Sequence, residues 1–446
     1  MEGIMPEGTY YFPDGFLWGC ATASHQVEGQ NKNNNWAFWE EQEGKIHQGQ
    51  KAGLACDWWG GRWREDFDRA AQGGQNAHRL SIEWSRVQPT ADRWDENALD
   101  YYRQMMRGLI ERNMTPMVTL HHFSDPIWVM EQGGWENDQI INWFETYTKK
   151  VVEALKEYVT LWVTINEPNV YTQGGYLGGS FPPGKNDMKA AFNVMRNMVK
   201  GHAAAYHAIK KIQPQARVGL AHHYRKFEPA HAGFAPDRMM ANFLSKNFNE
   251  GFANAVQTGR FEFALRKEAI PQAANTQDFM GLNYYTREYI AFKPLAMKSL
   301  FYKGFYDPKS LLSENGFIAL EPKGFYQALK WCNSFKKPIL VTENGVEDSS
   351  NTLRTRYLYE HLHQMWRAIN YTWPIKGYFH WSLVDNFEWE RGWSQRFGLW
   401  GLDVETQTRL RRPAVDAYAD ICHTNGISSQ SVKKYAPEIF NTLFPE

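Results

Sequence analysis

The run Leu161-Trp162-Val163-Thr164-Ile165-Asn166-Glu167 is largely apolar and β-branched, then turns abruptly to an amide and a carboxylate. Pro338–Asn344 (PILVTEN) does the same with the order reversed, Glu343 before Asn344. Runs this apolar do not alternate inside and outside. They read as strands buried on both faces, the habit of parallel sheets. Working outward from these two, six more runs share the pattern. They are Phe16–Ala21 (FLWGCA), Ala77–Trp84 (AHRLSIEW), Thr115–Phe123 (TPMVTLHHF), Ala216–His223 (ARVGLAHH), Asp278–Tyr285 (DFMGLNYY) and Ile375–Leu383 (IKGYFHWSL).

Helix-period segments lie between them. Asn97–Arg112 carries Leu99, Tyr102, Met106, Leu109 and Ile110 on one face; Gln139–Tyr158, Ala190–Ile212 and Arg354–Ile369 are built similarly. Strand then helix, eight times over, predicts an α/β fold, a (β/α)₈ TIM barrel forming one domain over residues 1–446 with extended βα loops. An open doubly wound sheet fits less well, because no glycine-rich phosphate loop opens any of the helices.

Composition narrows the function. Lys+Arg and Asp+Glu are 49 each, so the chain lacks the basic excess that nucleic acid or an anionic membrane surface selects. No apolar run approaches the ~18 residues of a membrane span, and the first residues lack the basic and apolar regions of a signal peptide. Cys20, Cys56, Cys332 and Cys422 are scattered, without a C-x-x-C, which suits reduced thiols and a cytoplasmic location. Cys20 and Cys332 have no local base signature and read as small core residues. Aromatic residues are 15 % of the chain, with 19 Trp. Trp beside polar groups suits stacking on the C–H faces of sugars.

In such a barrel the chemistry sits where the strands stop. Those ends carry Arg79, Glu83, His121, His122, Asn166, Glu167, Asn283, Tyr285, Glu343, Asn344 and Trp381, with Trp18, Phe123, Tyr284 and Trp389 adding aromatic surface. Neighbours on a strand face opposite ways, so one histidine of each pair, His121–His122 and His222–His223, can face the barrel mouth. Two carboxylates flanked by amides and aromatics match glycoside hydrolysis: one protonates the leaving oxygen, and the other attacks the sugar carbon or activates water. Arg79 could hold a nearby carboxylate ionised. The rim has neither an H-E-x-x-H motif nor the Asp/His density of a dinuclear metal site, so no metal is expected.

At these residues the chain resembles glycoside hydrolase family 1, the β-glucosidase family, over nearly its whole length. The matching segments are Phe16–Gly29 (FLWGCATASHQVEG), Thr164–Pro168 (TINEP), Gly281–Tyr285 (GLNYY), Val341–Gly345 (VTENG) and Trp381–Trp389 (WSLVDNFEW). The resemblance implies a retaining mechanism with Glu343 as nucleophile and Glu167 as general acid, then base. Tyr285 would hydrogen-bond Glu343, and Arg79 would support its ionised form. Asn166 would hold the sugar 2-hydroxyl. Gln26, His122, Glu388 and Trp389 would grip the others, Trp381 would be the stacking floor, and Asn283 joins the substrate-binding set.

The implied substrate is a small-molecule β-glycoside or β-linked oligosaccharide, cleaved by an exo-acting enzyme that releases glucose, galactose or fucose. Carboxylates alone supply acid, base and nucleophile, so no cofactor is expected. A 6-phospho-β-glycosidase and a sugar-binding domain without catalysis are the alternatives. Glu388, with Glu390 beside it, disfavours the first; the presence of both Glu167 and Glu343 disfavours the second. Two departures stand out. Phe123 occupies a position where the family often has Trp, which keeps an aromatic but removes an N–H donor. In Asn315–Pro322 (NGFIALEP), either Phe317 or Ile318 takes the place of the family's aromatic platform for the leaving group.

Overall fold

Eight buried strands pair side by side in the computed structural model, which describes residues 7–296 and 300–445. In chain order they are β1 Leu17–Ala21, β2 Ala77–Ser81, β3 Thr115–His121, β4 Leu161–Asn166, β5 Arg217–His223, β6 Phe279–Tyr284, β7 Ile339–Asn344 and β8 Ile375–Trp381. Each lies parallel to the next, and β8 returns to β1 through Gly377 opposite Leu17 and Trp381 opposite Ala21, so the sheet closes into a barrel. The strands show no polar–apolar alternation because the barrel interior fills one face and helices cover the other.

The helix following each strand packs on the outside. They are α1 Trp63–Gln72, α2 Glu96–Ile110, α3 Ile140–Leu155, α4 Met188–Ile212, α5 Gly251–Thr258, α6 Pro322–Ser334, α7 Arg354–Asn370 and α8 Pro413–Thr424. Local chemistry marks their starts. Asp95 caps α2 by accepting from the Asn97 and Ala98 amides, and Asp187 caps α4 in the same way. Pro322 and Pro413 open α6 and α8, where a missing N–H costs nothing. Past β5 and β6 the loops build a small sheet of Lys226–Pro229, Arg287–Phe292 and Tyr302–Phe305.

Several strands are shorter at their C-terminal ends than the apolar runs predict. The runs reach Trp84, Phe123, Glu167 and Leu383, whereas pairing ends at Ser81, His121, Asn166 and Trp381. Phe123 (φ 69°) and Glu167 (φ 43°) have turned into the left-handed region, which takes the chain out of the ladder. Register also breaks at these ends, between Val163 and Asn166, between Leu282 and Asn283, and between Val341 and Asn344. Irregularities of this kind re-aim side chains at sheet ends.

All four cysteines are free and buried, and burial raises their thiols, so they are inert core residues. Among the described residues no helix is long and apolar enough to cross a membrane.

The β7 and β8 ends approach each other closely at Gly345. A Cβ there would lie 2.0 Å from the Trp381 carbonyl oxygen. Gly345→Ala is therefore expected to force the two strand ends apart, costing about 1–3 kcal/mol. Thermal unfolding followed by circular dichroism should show a lower midpoint, together with reduced activity. An unchanged midpoint would contradict this contact.

Candidate active site

The barrel mouth holds a cavity of 140 Å³. Seven of the residues that the family resemblance implicates in catalysis or sugar binding line it: His122, Glu167, Tyr285, Glu343, Trp381, Glu388 and Trp389. Arg79, Asn166, Asn283 and Gln26 stand immediately behind these, fully buried and bonded to them.

Arg79, on β2, is the hub. Its Nη1 donates to Glu343 Oε1 at 2.6 Å and to the Thr342 carbonyl at 3.2 Å. Nη2 donates to Asn166 Oδ1 at 2.6 Å, and Nε to Thr119 Oγ1 at 3.0 Å. The Tyr285 hydroxyl donates to the other oxygen of Glu343, at 2.6 Å. Burial and the nearby Glu343 charge raise the tyrosine well above its ordinary pKa, which keeps it a donor.

Glu167 meets different partners. Its Oε1 accepts from Asn283 Nδ2 at 2.8 Å and shares a hydrogen bond with His223 Nδ1 at 2.8 Å. Asn283 is itself oriented by Thr342, whose hydroxyl donates to Asn283 Oδ1 at 2.6 Å. Asn166 and Glu167 are sequence neighbours, yet both serve the site, because Glu167 leaves the strand conformation. Strain of this sort gathers where function demands a particular aim. Phe123 and Trp389 (φ 49°) are also left-handed and line the same cavity.

The amide of Asn166 fixes its neighbour. Its Oδ1 accepts from Arg79 and Asn283, so its N–H donates to His122 Nε2, at 3.0 Å. Burial, then the Arg79 charge, hold His122 well below the ordinary histidine pKa. The ring is therefore neutral, with its proton on Nδ1, which has no partner among the described residues. His122 packs against both Trp381 and Trp389, with ring centroids 5.8 and 5.9 Å away. Gln26 donates to Glu388 Oε2 at 3.1 Å and to the Phe387 carbonyl at 2.8 Å. Burial, with the charges of Glu390 and Glu343, raises Glu388 well above the usual carboxylate range.

The two central carboxyls titrate as a pair. Burial pushes Glu343 up to about 7, against the pull of Arg79 and with the help of the Glu167 charge. Burial alone would raise Glu167 too, but the His223 ring, Asn283 and Arg79 draw it below its ordinary value. The pair consequently keeps one proton to about pH 7.

Other rim candidates face away. His121 bonds Asp125 and packs on Trp135, and His222 reaches Gln277, so one histidine of each pair faces the mouth, as strand alternation requires. Tyr284 points outward to the Glu321 carbonyl, and Asn344 bonds the Tyr284 carbonyl and the Tyr357 hydroxyl. Glu83 is locked among Ser24, Ser85 and Ser124. Trp18 lies near the start of β1, bonded to Asn76 and Asn425 and far from the rim chemistry. Phe317 and Ile318 both line the cavity: Phe317 is 41 % exposed at its entrance, whereas Ile318 is buried. The sequence reading did not assign His223 a partner, nor Gln395 and Arg225 a place. The alternation rule pointed to one histidine of its pair but could not say which carboxylate it would meet.

The model of the family described as Glycosyl hydrolase family 1 matches residues 9–427. Beta-glucosidase A of Thermotoga maritima is 32 % identical over 444 residues, covering 93 % of this chain and 98 % of that protein. A beta-galactosidase of Pyrococcus woesei is 28 % identical over 503 residues, covering 94 % of this chain and 98 % of that one. A solved structure of the beta-glucosidase from Thermotoga maritima in complex with glucoimidazole superposes with a TM-score of 0.88 at 31 % identity, covering 94 % of this chain and 100 % of that one. The chain belongs to glycosyl hydrolase family 1 and is a glycoside hydrolase of the β-glucosidase type.

Coupling between the carboxyls is open to measurement. Neutralising Glu167 removes a negative neighbour, so Glu167→Gln should lower the pKa of Glu343 below its value of about 7. Carbon NMR titration of the labelled Glu343 carboxyl should show the downward shift. An upward shift, or none, would disprove the coupling.

Proposed function

We propose that this member of glycosyl hydrolase family 1 is a retaining, exo-acting β-glycosidase on neutral sugars, with β-glucosides as the main substrates and β-galactosides and β-fucosides accepted. One observation carries the assignment of roles. Glu343 has a guanidinium on one oxygen and a phenol on the other, whereas Glu167 has an amide and an imidazole on a single oxygen. Two such donors stabilise the anion of Glu343 when a sugar's anomeric carbon lies against it. In the free site the proton lies with Glu343, which burial raises to about 7 while Glu167 is drawn below its ordinary value; a bound sugar that seats the Glu343 anion shifts that proton to Glu167, beside the leaving oxygen.

Glu343 attacks the anomeric carbon as Glu167 passes its proton to the departing oxygen, giving a covalent glycosyl-enzyme. Water follows from the leaving-group side. Glu167, now ionised, takes a proton from it, and the water oxygen displaces Glu343 with net retention. Asn166, held by Arg79, is placed for the 2-hydroxyl, where contacts strengthen in the transition state. The unpartnered Nδ1–H of His122 is a donor for a ring hydroxyl, and Trp381 supplies the stacking surface.

Glu388, braced by Gln26 and Asn386, is placed for the outer hydroxyls. Glu388 presents carboxyl oxygens rather than the cationic donors a phosphate needs, so this end disfavours a 6-phosphate. A relative named beta-galactosidase and another named beta-glucosidase align over 94 % and 93 % of the chain, which supports breadth at the 4-hydroxyl. The four buried free thiols support a reducing compartment such as the cytoplasm.

Removing the nucleophile tests the core of this proposal. Glu343→Ala should lose about 10⁴-fold or more of its turnover, the scale seen when a covalent catalyst is deleted. Azide should partly restore activity and yield the α-glycosyl azide, identified by proton NMR. Retention of a tenth of the activity would overturn the role of Glu343.

Glu167→Ala should show a split by leaving group. General acid help is worth roughly 10²–10⁴ for a poor leaving group. Single-turnover glycosylation should therefore collapse for an alkyl glucoside and change little for a dinitrophenyl glucoside. Equal losses on both would reject the acid role.

A further inference from the structure

The two oxygens of Glu167 have different surroundings. Oε1 meets Asn283 Nδ2 and His223 Nδ1, both at 2.8 Å. Oε2 has no partner among the described residues, and the side chain, 7 % exposed, lines the cavity. The chemistry above uses Glu167 but gives His223 no task.

Strand register brings the two donors together. His223 ends β5, and Asn283 stands opposite it on β6. Partners on adjacent strands project to the same face of the sheet, so both side chains reach one oxygen. The Asn283 amide is fixed as a donor. Thr342 donates to its Oδ1, and its Nδ2 also reaches Asn166 Oδ1, which accepts from Arg79. The imidazole is fixed by packing. It stacks on Tyr285, with centroids 5.7 Å apart and planes at 24°, and meets Phe248 edge-on at 5.6 Å. Asn169, on the short helix Pro168–Thr172 that begins straight after Glu167, donates to the His223 carbonyl at 2.8 Å and to the Phe248 carbonyl at 2.9 Å. Acid and imidazole are thus tied through the backbone as well as through their side chains.

An ionised carboxylate only accepts, so His223 Nδ1 donates to it. Two N–H donors then occupy Oε1. When a bound sugar moves the pair's proton to Glu167, the open Oε2 is the oxygen that receives it, on the cavity side. Burial pushes Glu167 up, yet His223 first, then Asn283 and Arg79, leave it below its ordinary value. The other charged groups come from several elements. Arg79 and Glu343 act on Glu167 from β2 and β7, Tyr285 covers the ring, and Arg225, two residues on, pairs with Glu288. Glu388 acts on Tyr285 from the loop after β8. A change at position 223 alone leaves all of these in place.

We infer that His223 is a positioning residue for the acid–base carboxyl: with Asn283 it saturates Oε1 with N–H donors, confines the transferable proton to Oε2, and steadies the carboxylate when water attacks. This rests on the β-glycosidase reading above, which gives Glu167 that role. An amide at the same place would donate as well; an aromatic hydrocarbon would not.

The test isolates Glu167. Dinitrophenyl 2-deoxy-2-fluoro-β-glucoside traps the enzyme as an ester on Glu343 with loss of dinitrophenolate, so Glu167 titrates alone. Carbon NMR of the labelled Glu167 carboxyl, identified by its absence in Glu167→Gln, follows the ionisation. His223→Phe keeps the ring stack and removes the N–H. It should lower the acid dissociation constant of Glu167 about tenfold, a rise of about one pKa unit, as expected when a charged group loses a hydrogen bond. His223→Asn, whose amide N–H falls near the place of Nδ1, should stay within about threefold of wild type. A second measurement is the acid limb of kcat for dinitrophenyl β-glucoside, where the attack of water needs ionised Glu167. It should move up by the same amount in the Phe variant and not in the Asn variant, and its position does not depend on how much of the enzyme is folded. A rise of less than about threefold in the Phe variant, or an Asn variant shifted as far as the Phe variant, would overturn the role of His223. Wild-type enzyme that is not trapped on Glu343 would instead overturn the β-glycosidase reading on which it rests.

Discussion

A guanidinium with no exposure to water, at the centre of a parallel barrel, is the constraint around which the site is arranged. Burying the charge of Arg79 would be prohibitively costly unless its N–H groups found acceptors and its charge a counter-ion. The acceptors come from separate strands: Thr119 on β3, Asn166 on β4, and both Thr342 and Glu343 on β7. Satisfying Arg79 thus brings strand ends distant in sequence to one point. The carboxylate that neutralises it, Glu343, is the one proposed to attack carbon. Structural necessity and the proposed role fall on the same ion pair.

The second carboxylate is handled by contrast. Glu167 has no guanidinium in hydrogen-bonding contact among the described residues, and its bonds to Asn283 and His223 occupy one oxygen. Two carboxyls buried near each other cannot both be charged cheaply, so one proton is retained between them. In the free site that proton lies with Glu343, and in the proposed mechanism a bound sugar moves it to Glu167. Around the pair, the backbone departs from regular strand at Phe123, Glu167 and Trp389. These residues turn side chains into the cavity that a regular strand would direct elsewhere. The cost is spread across a scaffold whose strands are paired on both sides.

Aromatic residues do two jobs here, and abundance alone does not separate them. Trp381, Trp389 and Phe123 line the cavity, whereas Trp162 and Trp135 are core, with their N–H groups satisfied by Gln213 and by Asp125. Tyr285 faces Glu343 while its neighbour Tyr284 packs outward on Phe325. Period-two alternation explains the tyrosines and the two histidine pairs. It does not explain Asn166 with Glu167, where a change of backbone region breaks the period.

The amino-acid sequence by itself determined the barrel, since eight runs too apolar to alternate, spaced by helical segments, have few other ways to be covered. It also determined where the chemistry gathers, because polar residues at the ends of buried strands must meet at one mouth. The short E-N and N-E motifs singled out Glu343 and Glu167, which the structure brings to one cavity. What only the tertiary structure decided was which groups touch. That His223 meets Glu167, that Glu83 and Asn344 turn away, and that Gln395 and Arg225 line the mouth depend on loop paths and left-handed turns set by contacts far along the chain. Strand ends lacked a sequence signal for the same reason. Apolar residues such as Leu383 continue past the last ladder bond, and pairing stops where the neighbouring strand ends, a fact that lies in another part of the chain.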